Sequence, residues 1–177
     1  ANTVSTLSQA SMTAFGNPDN SASTTIPLIH VGSSTVAVIG VYGVNVTVDE
    51  EAVKNAINEA SQVSDFQIIY IHWGEEYKTL ANERQKQLAN QALVAGAKLV
   101  IGHHPHVVEP IERSDESLVA YSLGNFIFDQ GFSEETMQGL ALTVRLNPDG
   151  GIKDYQTTIV KLSPEFKPAL EVSQSHE

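Results

Sequence analysis

Three short apolar runs, rich in β-branched residues, divide the first two thirds of the chain. They cover residues 34–43, 65–74 and 98–106, and their length and composition predict buried β-strands. A helical pattern of apolar positions fills each of the two intervals between them. The predicted order is therefore β-α-β-α-β, and connections of this length predict parallel strands with right-handed crossovers.

Both intervals carry the periodicity of an amphipathic helix. The apolar positions of the first helix are Val53, Ala56, Ile57 and Ala60. A T-x-x-E sequence from Thr47 to Glu50 predicts a capping box at its start. The apolar positions of the second helix are Leu80, Leu88, Ala92 and Ala95. Gly96 is the expected C-cap of that second helix.

The flanking regions have other patterns. A short helix is expected within residues 3–12, and turn-forming residues predict a loop over 16–24. Residues 117–129 hold one more strand. Alternating apolar residues around a Gly-rich turn predict an antiparallel hairpin over 139–162. The polar residues 163–177 are expected to form a tail that frays.

Composition limits the classes of function. The chain has 177 residues, which suits one domain, and its 10 Lys and Arg against 21 Asp and Glu give a net charge of −11. This charge argues against a nucleic-acid partner or an anionic membrane surface. The absence of cysteine removes disulfides, thiolate nucleophiles and Cys-type zinc sites. No run of about 18 apolar residues occurs, so no membrane-spanning segment is expected within the chain.

Four of the six histidines follow two of the predicted strands. His72 follows the second strand, and His103, His104 and His106 follow the third. Parallel strands place both groups at the same carboxyl edge of the sheet, where ligands bind in open α/β folds. In an extended loop His104 and His106 would point to one side. With His72 they could hold a zinc-like ion that keeps a position open for water.

Structural alternatives exist for each of these residues. The histidine-rich segment could be a surface turn, and Trp73 could be a packing residue or a pocket wall. At least one of Glu75 and Glu76 is expected to be a solvated helix entry, and Asn125 could belong to a simple turn. Because no nucleophile elbow, phosphate-binding Walker loop or cysteine is present, metal-assisted hydrolysis is favoured over covalent catalysis.

Three longer stretches carry a resemblance to a known family. "IIYIHWGEEY", "AGAKLVIGHHPHVVEPIE" and "VAYSLGNFIFDQ" together resemble the bacterial capsule synthesis proteins of the CapA or PgsA type, which serve poly-γ-glutamate capsules. "IPLIHVGSSTVAVIGV" and "NTVSTLSQASMTAFG" resemble the segments before them. The resemblance implies an α/β fold, the C-terminal half of a four-layer α/β/β/α metallophosphoesterase-like sandwich. Such a sandwich surrounds two metal ions.

The resemblance also implies a set of site residues. Its divalent ions, of the Mn, Zn or Fe type, would be held by His72, His104, His106 and, as a supporting or alternative ligand, His103. The substrate would be met by Asn125, Glu75 and Trp73.

The family's first half is not matched. Its Asp-containing Gly-Asp motif, its acidic motif and its Asn-Asn-His motif have no counterpart here, so residues 1–162 are expected to be a partial domain with 163–177 as a polar tail. The chain alone is then expected to bind metal poorly and to be inactive. It should pair with the missing half, or with a second copy of itself, to cover open sheet edges.

Two functions follow from the resemblance. The complete protein could be a metal-dependent hydrolase acting on a capsule or cell-envelope substrate. Alternatively, it could be a non-catalytic scaffold among the membrane-bound subunits that synthesise and export poly-γ-glutamate. Either function implies an extracytoplasmic, envelope-associated protein anchored through a segment outside this chain, with no nucleic-acid partner.

Overall fold

The computed structural model describes residues 3–16, 25–147 and 149–176. Most of the loop expected over 16–24 lies outside these residues. The elements are α1 (Thr3–Gln9), β1 (Leu28–Val31), β2 (Ser34–Tyr42), α2 (Glu50–Ser61), β3 (Phe66–His72), α3 (Glu83–Val94), β4 (Leu99–His103), β5 (Ile111–Arg113), β6 (Leu118–Ala120), a 3₁₀ helix (Glu135–Met137), β7 (Gln138–Leu146), β8 (Ile152–Leu162) and β9 (Pro168–His176).

The larger sheet has six strands in the order β1-β2-β3-β4-β6-β5. Strands β2, β3, β4 and β6 are parallel, and β1 and β5 pair antiparallel at the two edges. The predicted parallel β-α-β-α-β unit is therefore confirmed. The edge strands β1 and β5 were not predicted, since runs of four and three residues give almost no periodicity to detect.

Helices α2 and α3 cover one face of this sheet. Ala56, Ile57 and Ala60 of α2 are buried there, as are Leu88 and Ala92 of α3. They pack on the strand residues that point the same way, which include Ala37, Ile39, Ile69, Ile71 and Val100. None of the helices in the part of the chain that the structure describes is long and apolar enough to cross a membrane.

The start of each helix differs from the sequence prediction. The N-cap of α2 is Asp49, whose carboxylate accepts from the Ala52 amide at 3.0 Å, so the capping box assigned to Thr47 is wrong. Asp is as good an N-cap as Thr and stands directly before the first helical residue. Leu80 is 72% exposed and precedes α3, whose N-cap Asn82 forms a capping box with Gln85 in the first turn.

A second, antiparallel sheet lies on the opposite face. It contains β7, β8 and β9, and its first two strands are the predicted hairpin. Ile152 and the partly buried Leu142 and Val144 of this sheet pack against Phe66 and Leu99 of the larger one. The layers are therefore helices, a mostly parallel sheet and an antiparallel sheet, which confirms the α/β class.

Residues 163–176, which make up the described part of the tail, do not fray as expected. Residues Pro168–His176 form β9, which pairs antiparallel with β8 after a turn closed by the Ser163 amide donating to the Lys167 carbonyl at 3.0 Å. A strand ladder is made by backbone groups, so the edge of β8 can be paired by a segment with no apolar pattern.

Candidate metal centre

The site lies where β3 and β4 end. His72 and His103 are paired in register as the last residues of these neighbouring parallel strands. Because Ile71 packs under the helices and side chains alternate along a strand, both imidazoles project to the face away from the helices. His103 stacks on Tyr70 with ring centroids 4.3 Å apart, and His72 stacks on Tyr42 at 5.9 Å.

The loop after β4 brings two more histidines to this edge. His104 has a φ of 104° and His106 a φ of 60°, so the loop is left-handed at both residues and not extended as expected. Non-glycine residues seldom adopt such angles, and strain of this kind concentrates at functional sites. The loop is held by the Tyr77 amide, which donates to the carbonyl of Pro105 at 2.8 Å.

His104, His106 and Glu76 converge. Their ligand atoms all lie within 4.8 Å of one another. Two imidazoles and a carboxylate are donors that a zinc-type ion accepts at about 2.0–2.2 Å, which places tetrahedral ligands about 3.3 Å apart. The residues therefore fit a divalent ion, provided that the side chains close by up to about 1.5 Å, the difference from their present 4.8 Å.

His72 and His103 lie beside this set without belonging to it. The ring of His72 is 4.8 Å from that of His104, measured between centroids, so it borders the three convergent side chains. The Nε2 of His103 is buried and has no hydrogen-bond partner within the described residues. The sequence did not identify Glu76 as a candidate metal ligand. Only the contact between the loops after β3 and β4 brings it to the histidines, and this contact has no sequence signal.

Asn125 orients His106. The Nδ2 of Asn125 donates to the carbonyl of Thr136 at 2.9 Å, which can only accept. The amide oxygen therefore faces His106, whose Nδ1 lies 3.0 Å away and must donate. This fixes the tautomer with a free lone pair on Nε2, as a second partner does for metal-binding histidines. Asn125 is 5% exposed and contacts His106, and its contact with substrate stays a prediction.

Asn125 is positioned by a close approach of two backbone segments, the one after β6 and the start of β7. Gly124 and Gly139 form an isolated antiparallel bridge. A Cβ on Gly124, whose φ is +69°, would stand 2.7 Å from the carbonyl oxygen of Gln138. Only glycine at this crossing lets the segment after β6 approach the start of β7, and this approach brings Asn125 to His106.

The two other predicted substrate residues have structural contacts. Trp73 is 1% exposed, and its Nε1 donates to the Tyr121 carbonyl at 2.9 Å, so it lies in the core and its contact with substrate stays a prediction. The indole occupies the space above Gly102, where an added Cβ would collide with it. Glu75 is exposed, and its Oε1 accepts from Asn82 Nδ2 at 3.3 Å, which ties it to the start of α3.

The surroundings of His72, His103 and His104 favour their neutral forms. Burial, with a smaller contribution from His72, lowers the pKa of His103 to about 4. Partial burial lowers the pKa of His72, and the neighbouring imidazoles of His104 and His106 add to the effect. The pKa of His104 is also lowered by burial, against an opposing contribution from Glu76. Neutral imidazole is the form that binds metal, and the lowered pKa values of His72 and His104 favour that form near neutral pH.

An aromatic wall borders the convergent donors. The ring of Phe128 lies 4.8 Å from that of His106, and Tyr77 packs edge-on against Phe132 at 5.0 Å. The Nε2 of Gln130 donates to the Tyr77 hydroxyl at 3.1 Å. These rings were not assigned from the sequence. Phe128 and Phe132 are 41% and 64% exposed, so they offer open apolar surface beside the site.

Two capsule proteins of Bacillus are similar to part of this chain. The PGA biosynthesis protein CapA of Bacillus subtilis (strain 168) is 47% identical over 85 residues, 48% of this chain and 22% of that protein. The capsule biosynthesis protein CapA of Bacillus anthracis is 43% identical over 70 residues, 40% of this chain and 17% of that protein. The matched segments thus span about a fifth of these relatives.

Two solved structures superpose on this chain at low identity. A hypothetical protein from Thermus thermophilus superposes with a TM-score of 0.50 at 16% identity, covering 86% of this chain and 62% of that chain. A phosphatase from Mycoplasma pneumoniae gives a TM-score of 0.48 at 12% identity, covering 85% of this chain and 55% of that chain. The Thermus likeness concerns the fold alone.

The family model of the bacterial capsule synthesis protein PGA_cap matches residues 1–130. That range contains β1 to β6 and every donor of the candidate metal centre, together with Asn125. The chain therefore belongs to the bacterial capsule synthesis protein family.

Proposed function

We propose that this chain supplies part of a divalent-metal centre to a capsule biosynthesis protein that hydrolyses an ester or amide in a capsule or envelope polymer. The observation that carries the proposal is the convergence of Glu76, His104 and His106 at the carboxyl edge of the sheet. The orientation of His106 by the buried Asn125 also supports the proposal. A histidine in an ordinary surface turn does not need a buried side chain to fix its tautomer, whereas a metal-binding histidine does.

The residues of the chain have distinct roles in this proposal. His104 and His106 would bind a Mn, Zn or Fe type ion as neutral imidazoles, and Glu76 would bind it through its carboxylate. His72 would join as a further ligand from its position beside His104. A bound ion of this kind polarises a substrate oxygen and lowers the pKa of a water to about 7. Asn125 would hold His106 in the one tautomer that presents Nε2.

The aromatic wall supports a polymer substrate. Tyr77, Phe128 and Phe132 would contact the part of the substrate next to the reacting bond, since binding sites are mostly apolar with a few oriented polar groups. The two Bacillus relatives are named for capsule and PGA biosynthesis. We therefore propose a capsule or envelope polymer as the substrate class and an extracytoplasmic location, with the anchor outside this chain.

The partner in this proposal is the first half of the family domain. Leu28, Ile29 and Val31 of the edge strand β1 are each about half exposed, at 46%, 50% and 53%. A cleft of about 500 Å³ runs between that strand and the β7–β8 hairpin, with Ile68 and Val144 in its lining. Apolar surface of this extent at a sheet edge favours a covering partner. A second copy of the chain is the alternative occupant.

Metal analysis and a hydrolysis assay on the full-length protein test the proposal. Wild type should bind Mn²⁺ or Zn²⁺, and the double variant His104→Ala, His106→Ala should lose both the ion and the hydrolysis. His30→Ala is the matched control, because this exposed histidine on β1 contacts Thr35 far from the site. Hydrolysis that survives the double variant would overturn the metal mechanism. Metal binding without hydrolysis would favour the scaffold function.

A further inference from the structure

Two buried polar side chains lie between the loops that carry the metal donors. Gln85, on the first turn of α3, is 1% exposed, and Glu109, on the segment after β4, is 2% exposed. The Nε2 of Gln85 donates to the Oε2 of Glu109 at 2.7 Å. Neither residue contributes to the convergent set of donors, and neither has an assigned role.

Gln85 is bound to the loop that carries Glu76. Its backbone amide donates to Asn82 Oδ1 at 2.9 Å, and its Oε1 accepts from the Asn82 amide at 2.9 Å. Asn82 in turn donates to Glu75, the neighbour of Glu76. The amide oxygen of Gln85 thus accepts a hydrogen bond from the loop after β3, and its amide nitrogen donates one to Glu109.

Glu109 belongs to the loop that carries the histidines. It follows His106 by three residues, and its amide donates to the Ser122 carbonyl at 3.1 Å. Its Oε1 has no hydrogen-bond partner within the described residues. Burial raises the pKa of this carboxyl, against the opposing hydrogen bond from Gln85. A buried carboxyl with one unpartnered oxygen lowers the stability of the fold. Its presence here therefore suggests that the hydrogen bond from Gln85 has a role.

The backbone leaves room for this pair. Gly74 has a φ of +83°, and a Cβ there would lie 2.8 Å from Gln85 Nε2. The two loops also touch through main-chain bonds. The Trp73 amide donates to the His103 carbonyl at 3.0 Å, and the Tyr77 amide donates to the Pro105 carbonyl at 2.8 Å. The side-chain bond between Gln85 and Glu109 lies deeper in the protein than the exposed Tyr77.

We propose that Gln85 and Glu109 form a buried clip that fixes the loop bearing Glu76 against the loop bearing His104 and His106. They are positioning residues, and their effect on metal binding rests on the function proposed above. The donors come from two separate loops and must close by up to about 1.5 Å from their 4.8 Å spacing to share an ion. A clip that limits relative motion of the loops reduces the ordering that binding has to impose.

The test compares four variants of the full-length protein. Glu109→Leu removes the acceptor of the Gln85–Glu109 hydrogen bond, and Gln85→Met removes its donor. Glu109→Gln keeps an oxygen that can accept from Gln85 and is the conservative rescue. Leu88→Ala is the matched control on α3, since this buried residue packs under the sheet and takes no part in the Gln85–Glu109 or Tyr77–Pro105 hydrogen bonds. The readouts are thermal stability, Zn²⁺ or Mn²⁺ affinity, and hydrogen exchange of the Tyr77 amide.

We expect Glu109→Leu and Gln85→Met to weaken metal affinity about 10- to 100-fold, as losses of partners around metal ligands do. They should also accelerate exchange of the Tyr77 amide at least tenfold without metal. Glu109→Gln should retain most of both properties. Leu88→Ala should lower the melting temperature while leaving both near wild type. If either clip variant folds and matches Leu88→Ala in exchange of the Tyr77 amide, the clip is overturned.

The exchange readout separates the two proposals. A wild-type protein that binds no metal would contradict the proposed function, and Tyr77 exchange would still decide the clip. Faster exchange in the clip variants, restored in Glu109→Gln, would support it. Unchanged exchange would reject it whatever the metal result. If Glu109→Leu fails to fold, Glu109→Ala takes its place, because Gln85→Met also removes the hydrogen bond from the Asn82 amide and does not isolate the clip.

Discussion

The two faces of the six-stranded sheet are built from alternate residues of the same strands. The face under α2 and α3 is closed and apolar, with Ile39, Ile69 and Val100 buried at 1% exposure or less. The other face is apolar only where the hairpin covers it, and it ends at Tyr70, His72 and His103 near the carboxyl edge. One face is therefore covered by helices, and the other is covered by the hairpin and leaves the candidate metal centre open at the strand ends.

Gly102 gives the largest effect expected on the closed face. A Cβ there would collide with the Trp73 indole and the Tyr121 carbonyl, the two groups joined by the buried hydrogen bond. We expect Gly102→Ala to lower the free energy of unfolding by about 4 kcal/mol or more, because the overpacked side chain also breaks that hydrogen bond. Gly131→Ala is the control, because its added Cβ meets only ordinary contacts from 3.4 Å outward. Equal urea midpoints for the two variants would contradict the packing argument.

Matched isoleucines compare buried and open sites directly. Ile57 of α2 is fully buried beneath the sheet, and Ile29 of β1 is 50% exposed. We expect Ile57→Ala to lower the free energy of unfolding by about 3 kcal/mol through lost burial and a residual cavity. Ile29→Ala should cost less than about 1 kcal/mol in the isolated chain. A larger loss at Ile29, measured by chemical denaturation, would show that β1 is already covered by a partner in solution.

The histidine face should make stability depend on pH. Burial lowers the pKa of His103 to about 4 from the ordinary 6.5, so the unfolded chain binds the proton more tightly. Stability is then fully present above pH 6.5 and falls as pH drops towards 4, by up to about 3 kcal/mol. His103→Gln should flatten this fall, measured by unfolding in chelator-containing buffer, while His30→Gln should not. A fall of equal size in His103→Gln would assign the pH dependence to other groups.

The sequence predicted the strands and helices that have strong periodicity, and it missed the features that depend on backbone pairing. The apolar run at 98–106 indicated β4 and its exit loop, and the parallel order put His72 at the same edge. The strand Pro168–His176 was missed because its pairing with β8 needs no apolar pattern. Glu76 was missed as a donor because it meets His104 only through the contact of two loops. The left-handed backbone at His104 also has no sequence signal, since residues other than glycine rarely adopt it.

The smallest expected effect concerns Asn125. This residue lies on neither face of the sheet, but it orients His106 at the candidate metal centre on the open face. Asn125→Ala removes the acceptor for His106 Nδ1, so the imidazole can exchange between tautomers and metal affinity should fall about tenfold. The ¹⁵N chemical shifts of the His106 ring report this directly, with Nδ1 protonated in wild type and averaged in the variant. Phe126→Ala is the control, because this neighbour is 57% exposed. A variant that loses affinity while keeping the Nδ1–H tautomer would show that Asn125 acts through the backbone crossing at Gly124 and not through its amide oxygen.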